Sequence, residues 1–156
     1  MRLARAVLPW VSGGMLMAGV VACGPGNGVG LDASGHPIGT GAECQDSVCF
    51  ARDIQPIFTA NCALSGCHAG TSPQQGQNLS EGLAYQAIVN VPANERPGMM
   101  RVRPSQPDSS YLVHKIQGTQ ASVGGSGGQM PLGATPLSQS QIDLIRAWIA
   151  AGARNN

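Results

Sequence analysis

The stretch Asn61-Cys62-Ala63-Leu64-Ser65-Gly66-Cys67-His68 decides how this chain is read, because it brings two thiols and an imidazole together within eight residues. Three chemistries suit such a cluster. The thiols can close a local disulfide with His68 a bystander. They can join Cys44 and Cys49, which repeat the same spacing, as four zinc thiolates, although an oxidising compartment disfavours free thiolates. Or they can add to the vinyl groups of a haem while the adjacent imidazole takes one axial position on the iron, the chemistry associated with C-x-x-C-H. Here four residues separate the cysteines in place of two, and Ser65-Gly66 is suited to looping out so that both sulfurs can reach.

Upstream, Arg2 and Arg5 precede an apolar run over 7–22 that is short for a membrane span and is interrupted by Pro9 and Gly13-Gly14. This reads as a signal peptide over 1–22, to be set aside before the fold is considered. Its end, Val20-Val21-Ala22-Cys23, resembles the lipobox of bacterial lipoproteins, which implies lipidation of Cys23 as the new N-terminus. Ordinary secretion with cleavage near the same place is the alternative. Gly24 after Cys23 is not the Asp associated with inner-membrane retention in lipoproteins, which favours the outer membrane. Lipidation also settles the cysteine count: of five, Cys23 is used separately and Cys44, Cys49, Cys62 and Cys67 remain as two local pairs.

The chain has 156 residues, of which 42% are hydrophobic and 11% charged, with a formal net charge of +1. Removing the signal takes away two of the nine basic residues and none of the eight acidic ones, so no cationic field remains. Nucleic-acid binding, which needs a dense basic surface, is excluded. The segment 23–42 is a Gly-rich linker: from Gly24 on it contains seven glycines and two prolines and no hydrophobic periodicity. A flexible coil of that composition reaches about 20–25 Å. His36, followed by proline within it, reads as solvated.

The folded domain is expected over 43–156, with an all-α architecture. Over 51–60, Ile54, Ile57 and Phe58 fall on one helical face, with Asp53 near the helix start and Pro56 fitting only its first turn. A second helix is expected over 80–90, with Ser80 as N-cap and Leu83, Ala87 and Ile88 on one face. Residues 94–103, punctuated by Pro97-Gly98, read as a loop with a short extended stretch at 100–103. A helix over 107–117 buries Leu112 and Ile116 and meets Gly118. The clearest element is C-terminal: Ser138 and Gln141 form a capping box ahead of Ile142, Ile145, Trp148 and Ile149, and Gly152 stands where a C-cap belongs. Residues 123–129 read as a glycine loop.

An iron held by His68 and used only to shuttle electrons needs a sixth ligand, and a methionine there raises the potential. Met130, in the glycine loop directly before Pro131, is the best candidate for that ligand. Met99-Met100 and His114 are the other candidates. The Met pair lacks the Met-Pro context, and His114 lies in a helical pattern beside Lys115, on an expected surface. Arg96, Arg101 and Arg103 could pair with haem propionates or form a solvated basic loop. Trp148 and Tyr111 read as core or haem-pocket packing with a polar tip that finds a partner. Cys44 and Cys49 read as a structural disulfide contributing about 2 kcal/mol. Position 50 is Phe, so that pair lacks the following histidine a second haem needs.

These residues resemble a known family. Ile54-Gln55-Pro56-Ile57-Phe58-Thr59-Ala60-Asn61-Cys62, Cys67-His68, Met130-Pro131, Leu137-Ser138 with Gln141-Ile142, and Ala147-Trp148-Ile149 with Gly152-Ala153 are similar to single-haem cytochrome c domains of exported bacterial proteins. Tyr111-Leu112-Val113-His114-Lys115-Ile116 resembles the helix before the Met-Pro loop of those domains. The resemblance implies thioether bonds at Cys62 and Cys67, axial ligation by His68 and Met130, one haem c, and a terminal helix crossing the helix at 53–60. It makes the expected protein a lipid-anchored electron carrier of the cell envelope with redox proteins as partners, and not an enzyme. Alternatives from other classes are a haem-free, disulfide-stapled interaction module and a haem sensor or enzyme with an open sixth position.

Overall fold

Ile54, Ile57 and Phe58 recur at helical spacing, and in the computed structural model of the chain, which describes residues 30–31, 37–38 and 48–156, all three are buried. The helix they form has two parts. A π-helical turn, Phe50–Ile54, runs into α1, Gln55–Asn61. Pro56 explains the join: it has no N–H to give the carbonyl four residues back, and its ring needs the room a wider turn leaves. Pro56 therefore stands in the first turn of α1, as expected. The Asp53 carboxylate accepts the Cys49 N–H at 2.8 Å and closes the entry to the turn.

The chain divides into two units, Met1–Thr40 and Gly41–Asn156. In the first, β1 (Gly30–Leu31) pairs antiparallel with β2 (Pro37–Ile38), Gly30 opposite Ile38, within the stretch expected as a linker. The expected signal segment, Cys23, His36 and Cys44 lie outside the described residues.

The described residues of the second unit are helical, with isolated bridges and no strand. The expected helix over 80–90 is reduced to α2, Ala84–Ile88. Gly82 takes a left-handed φ of 75°, so the chain turns once before the helix starts, and Leu83 caps it half-exposed instead of lying on the buried face. The expected helix over 107–117 is likewise split into a 3₁₀ turn at Pro107–Ser109 and α3 at Tyr111–Gln117. Ser110 between them is extended, because the Tyr111 and Leu112 N–H groups bond the Met100 and Arg101 carbonyls at 2.9 Å. That bridge, with Val102 against Val89, forms the extended stretch expected at 100–103.

α4, Gln139–Ala150, carries the capping box in full, Ser138 accepting from the Gln141 N–H and Gln141 returning a bond to the Ser138 N–H. It buries Ile142, Ile145, Trp148 and Ile149 and packs on α3 and on the Phe50–Ile54 turn, where the Phe50 and Trp148 rings stand 5.2 Å apart. Each such side chain removed from water contributes about 2–3 kcal/mol. Trp148 has its expected polar partner, Nε1–H donating to the Arg154 carbonyl at 2.9 Å. The core is one continuous cluster beneath α1, α3 and α4, and the ends of α1 and α3 carry the residues singled out in the sequence.

Candidate functional site

α1 ends where the cysteine segment begins. The Phe58 carbonyl accepts from both Cys62 and Ala63 N–H at 2.8 Å, and Asn61 Nδ2 donates to the Ile57 carbonyl at 2.8 Å, so the last turn is capped by its own sequence. The two extra residues between the cysteines are taken up in a turn: Gly66 has φ 79°, a conformation a side-chain-bearing residue resists, and the Cys67 N–H reaches the Leu64 carbonyl at 3.0 Å. The His68 N–H then bonds the Cys62 carbonyl at 3.2 Å. Backbone bonds thus bring Cys62, Cys67 and His68 into one closed loop.

The His68 ring is oriented by backbone. Its Nδ1 lies 3.2 Å from the Gln77 carbonyl oxygen. A carbonyl can only accept, so Nδ1 carries the proton and the neutral ring keeps its lone pair on Nε2. The Leu79 N–H bonds the His68 carbonyl at 2.7 Å, and Gln55 Nε2 holds the Leu79 carbonyl at 2.9 Å, tying this segment to α1. Burial pushes the His68 pKa below its ordinary value, against the Gln77 bond, which raises it. The neutral, ligand-competent form is favoured.

The two thiols differ. Cys62 is half-buried, and burial followed by the neighbouring Cys67 pushes its pKa up to about 11. Cys67 is exposed. Both are free, so the local disulfide is not formed. Cys49 is disulfide-bonded, its partner lying outside the described residues. A disulfide sulfur is no thiolate, which removes Cys49 from the four-cysteine zinc set. Among the described residues no group of three or more His, Cys, Asp or Glu side chains is placed to hold a metal ion. The pairing expected between Cys44 and Cys49 lies outside the described residues.

Met130 is half-buried on the loop after α3, its N–H bonded to the Lys115 carbonyl at 2.8 Å. The loop is fastened along its length: Tyr111 Oη donates to the Ser126 carbonyl at 2.9 Å, Lys115 Nζ to the same carbonyl at 3.2 Å, and Gln129 Nε2 to the Ile116 carbonyl at 3.1 Å. Lys115, beside His114 on α3, is buried and ion-paired with Glu95 at 2.7 Å. Residues 94–95 join the segment after His68 to the loop that carries Met130. Asn94 Nδ2 donates to the Gln75 carbonyl at 3.0 Å on the His68 side, and the Ser126 N–H bonds the Glu95 carbonyl at 3.2 Å on the Met130 side.

Of the other candidates, His114, Arg96 and Arg101 are bonded elsewhere. Both His114 ring nitrogens are used, Nε2–H toward the Asp108 carbonyl at 3.1 Å and Nδ1 toward Thr119 Oγ1 at 2.9 Å. Met99 and Met100 line a pocket of about 480 Å³ with Asn90, Arg103 and Asp108, away from the cysteine loop in sequence. Arg96 bonds the Val123 and Pro97 carbonyls, and Arg101 is buried against backbone carbonyls; only Arg103 of the three is exposed. What the sequence could not reveal is the role of Gln77, since the group that orients His68 is a main-chain carbonyl common to every residue.

Three large apolar side chains stand exposed among the described residues: Leu64 (49%), Leu83 (50%) and Leu132 (71%). Leu64 lies between the two cysteines and Leu132 two residues after Met130. No protein-family model, curated protein or solved structure matches this chain. The site is therefore read on its own chemistry.

Proposed function

We propose that this protein is an exported, lipid-anchored c-type cytochrome that carries one covalent haem in a cytochrome c-like helical domain and passes single electrons between redox proteins of the cell envelope. The observation that carries the reading is the His68 ring, whose Nδ1–H is committed to the Gln77 carbonyl so that Nε2 is left to ligate. Ligating histidines are held this way, because a fixed second nitrogen sets both tautomer and ring direction.

The remaining donors fit the group. Cys62 and Cys67 are free and so able to form thioether bonds, with the Gly66 turn absorbing the longer spacing. Met130 is the assigned distal ligand, on a loop stitched to the His68 side through Asn94 and Glu95. The exposed Leu64 and Leu132 supply apolar surface beside both ligands for a flat, hydrophobic group to cover. Bound there, the haem iron supplies the one-electron chemistry. The chain would supply the rest: His68 and Met130 would both hold the iron, and the core below α1 and α3 would keep the site from rearranging as charge is gained or lost. A carrier needs little more, and the reading assigns no catalytic residue.

Export of the full chain alongside haem-attachment machinery tests this. A haem-stained band on a denaturing gel is expected, with an α-band position in reduced pyridine that tells two thioethers from one. Met130→Ala should then open the sixth position, so that the reduced form binds carbon monoxide while the parent does not. An unstained, folded chain, in a strain that matures a known C-x4-C-H control, would overturn the reading.

A further inference from the structure

Resting on the haem reading above, we propose that Arg101 is the positioning residue of the His68 site: it pins the backbone that carries the His68 acceptor, and its unpaired positive charge raises the reduction potential of an iron held by His68. Arg101 is only 7% exposed. Its guanidinium points along the turn that precedes Gln77, with Nη2 donating to the Gln75 carbonyl at 2.6 Å and Nη1 to the Gly76 and Ala87 carbonyls at 3.4 and 2.7 Å. The next carbonyl along the chain, that of Gln77, is the one that receives His68 Nδ1–H.

This turn does not hold itself. Gln75 has φ 57°, left-handed for a residue with a side chain, a conformation that persists only where its surroundings over-determine it. Arg101 and Asn94 both donate to the Gln75 carbonyl and supply that constraint. Gln55 closes the far end of the segment through the Leu79 carbonyl. The direction of the His68 ring is thus set by α2, the Arg101 bridge and α1 acting on one short stretch of main chain.

The charge is unusual for its burial. Among the described residues no ion pair involves Arg101: Asp53, Glu95 and Asp108 pair with Arg52, Lys115 and Arg146, and the Arg101 guanidinium bonds carbonyls alone. A neutral amide could satisfy one or two of those carbonyls without the desolvation that a guanidinium bears. A net positive charge in a low dielectric disfavours the ferric form of a nearby iron, which carries one positive charge more than the ferrous form. Taking up one electron, with no proton, is then more favourable, and the potential rises.

Arg101→Gln and Arg101→Lys separate the two effects in the full chain. In haem-free protein, Arg101→Gln should speed amide exchange at Gln77 and Leu79 about tenfold or more, because the segment loses its fork of donors. In haem-loaded protein it should lower the midpoint potential, read by spectroscopic redox titration. Arg101→Lys keeps the charge and loses the planar fork, so it should speed the same exchange yet leave the potential close to the parent's. If Arg101→Gln does not fold, Arg101→Lys alone still decides, since a lowered potential with unchanged exchange contradicts both halves. Unchanged exchange in Arg101→Gln overturns the clamp, and an unchanged or raised potential in stained Arg101→Gln overturns the charge effect. An unstained parent chain sinks the haem reading and the claim on potential with it, whereas a stained parent with an unmoved variant potential sinks only the claim for Arg101.

Discussion

Cys62 and Cys67 are five residues apart, yet one faces the core and the other faces water. Cys62 packs against the hydrophobic cluster, and its thiol is held protonated well above neutral pH by burial first and Cys67 second. Two outcomes follow for haem-free protein. Alkylation at pH 8 should label Cys67 more than about tenfold faster than Cys62, since only a small fraction of a thiol with so high a pKa is thiolate; rates in Cys62→Ala and Cys67→Ala chains check this. The folded pKa of Cys62, raised from 9.0 to about 11, also links to stability. The folded state keeps a proton that the unfolded chain gives up, so its contribution is complete below pH 9 and is lost as the pH rises toward 11. The loss should reach about 2–3 kcal/mol in urea titrations and should be absent in Cys62→Ala.

Among the elements, α4 is the one whose ends are written in its own residues. Ser138 and Gln141 satisfy two helix N-terminal donors between them, and the apolar positions at 142, 145, 148 and 149 need only a surface to pack on. Ser138→Ala should cost about 1 kcal/mol by chemical denaturation, with the helix otherwise retained. α2 and α3 were less legible. Both were expected a turn or more longer, and both begin late for reasons that lie outside the local pattern: a left-handed Gly82 before α2, and ahead of α3 a backbone bridge from 100–101 that makes Ser110 extended. Apolar periodicity reports which face is buried. It does not report where a neighbouring chain takes the hydrogen bonds.

At the scale of the whole molecule, the glycine loop shows how much depends on packing. Read alone, 123–129 is a glycine loop with no regular element. In the fold, Tyr111 and the Glu95–Lys115 pair lie directly on its backbone, and a Cβ at Gly125 would overlap the Tyr111 ring. Gly125→Ala should therefore destabilise the chain by about 1–3 kcal/mol, measured as a lowered urea midpoint with unchanged slope. On the proposed haem reading, the same change should loosen the loop that carries Met130, read as increased carbon monoxide binding to the reduced, haem-loaded form. The core beneath is one continuous cluster that includes Trp148, fully buried against Phe50. Trp148→Ala should cost about 3–5 kcal/mol in the same measurement, whatever is bound above it.

The sequence by itself determined the helical class, the faces of α1, α3 and α4 that are buried, the capping box, and the place of Cys62, Cys67, His68 and Met130 in the chain, because helix period, caps and ligand spacing are local properties. Only the tertiary structure decided that His68 presents Nε2, that Cys62 and Cys67 differ in exposure, that Lys115 is buried with Glu95, and that residues 94–95 join the His68 segment to the loop that carries Met130. Each of these depends on main-chain carbonyls and charges brought together from distant parts of the chain, and a carbonyl carries no mark in the sequence of the partner it will meet.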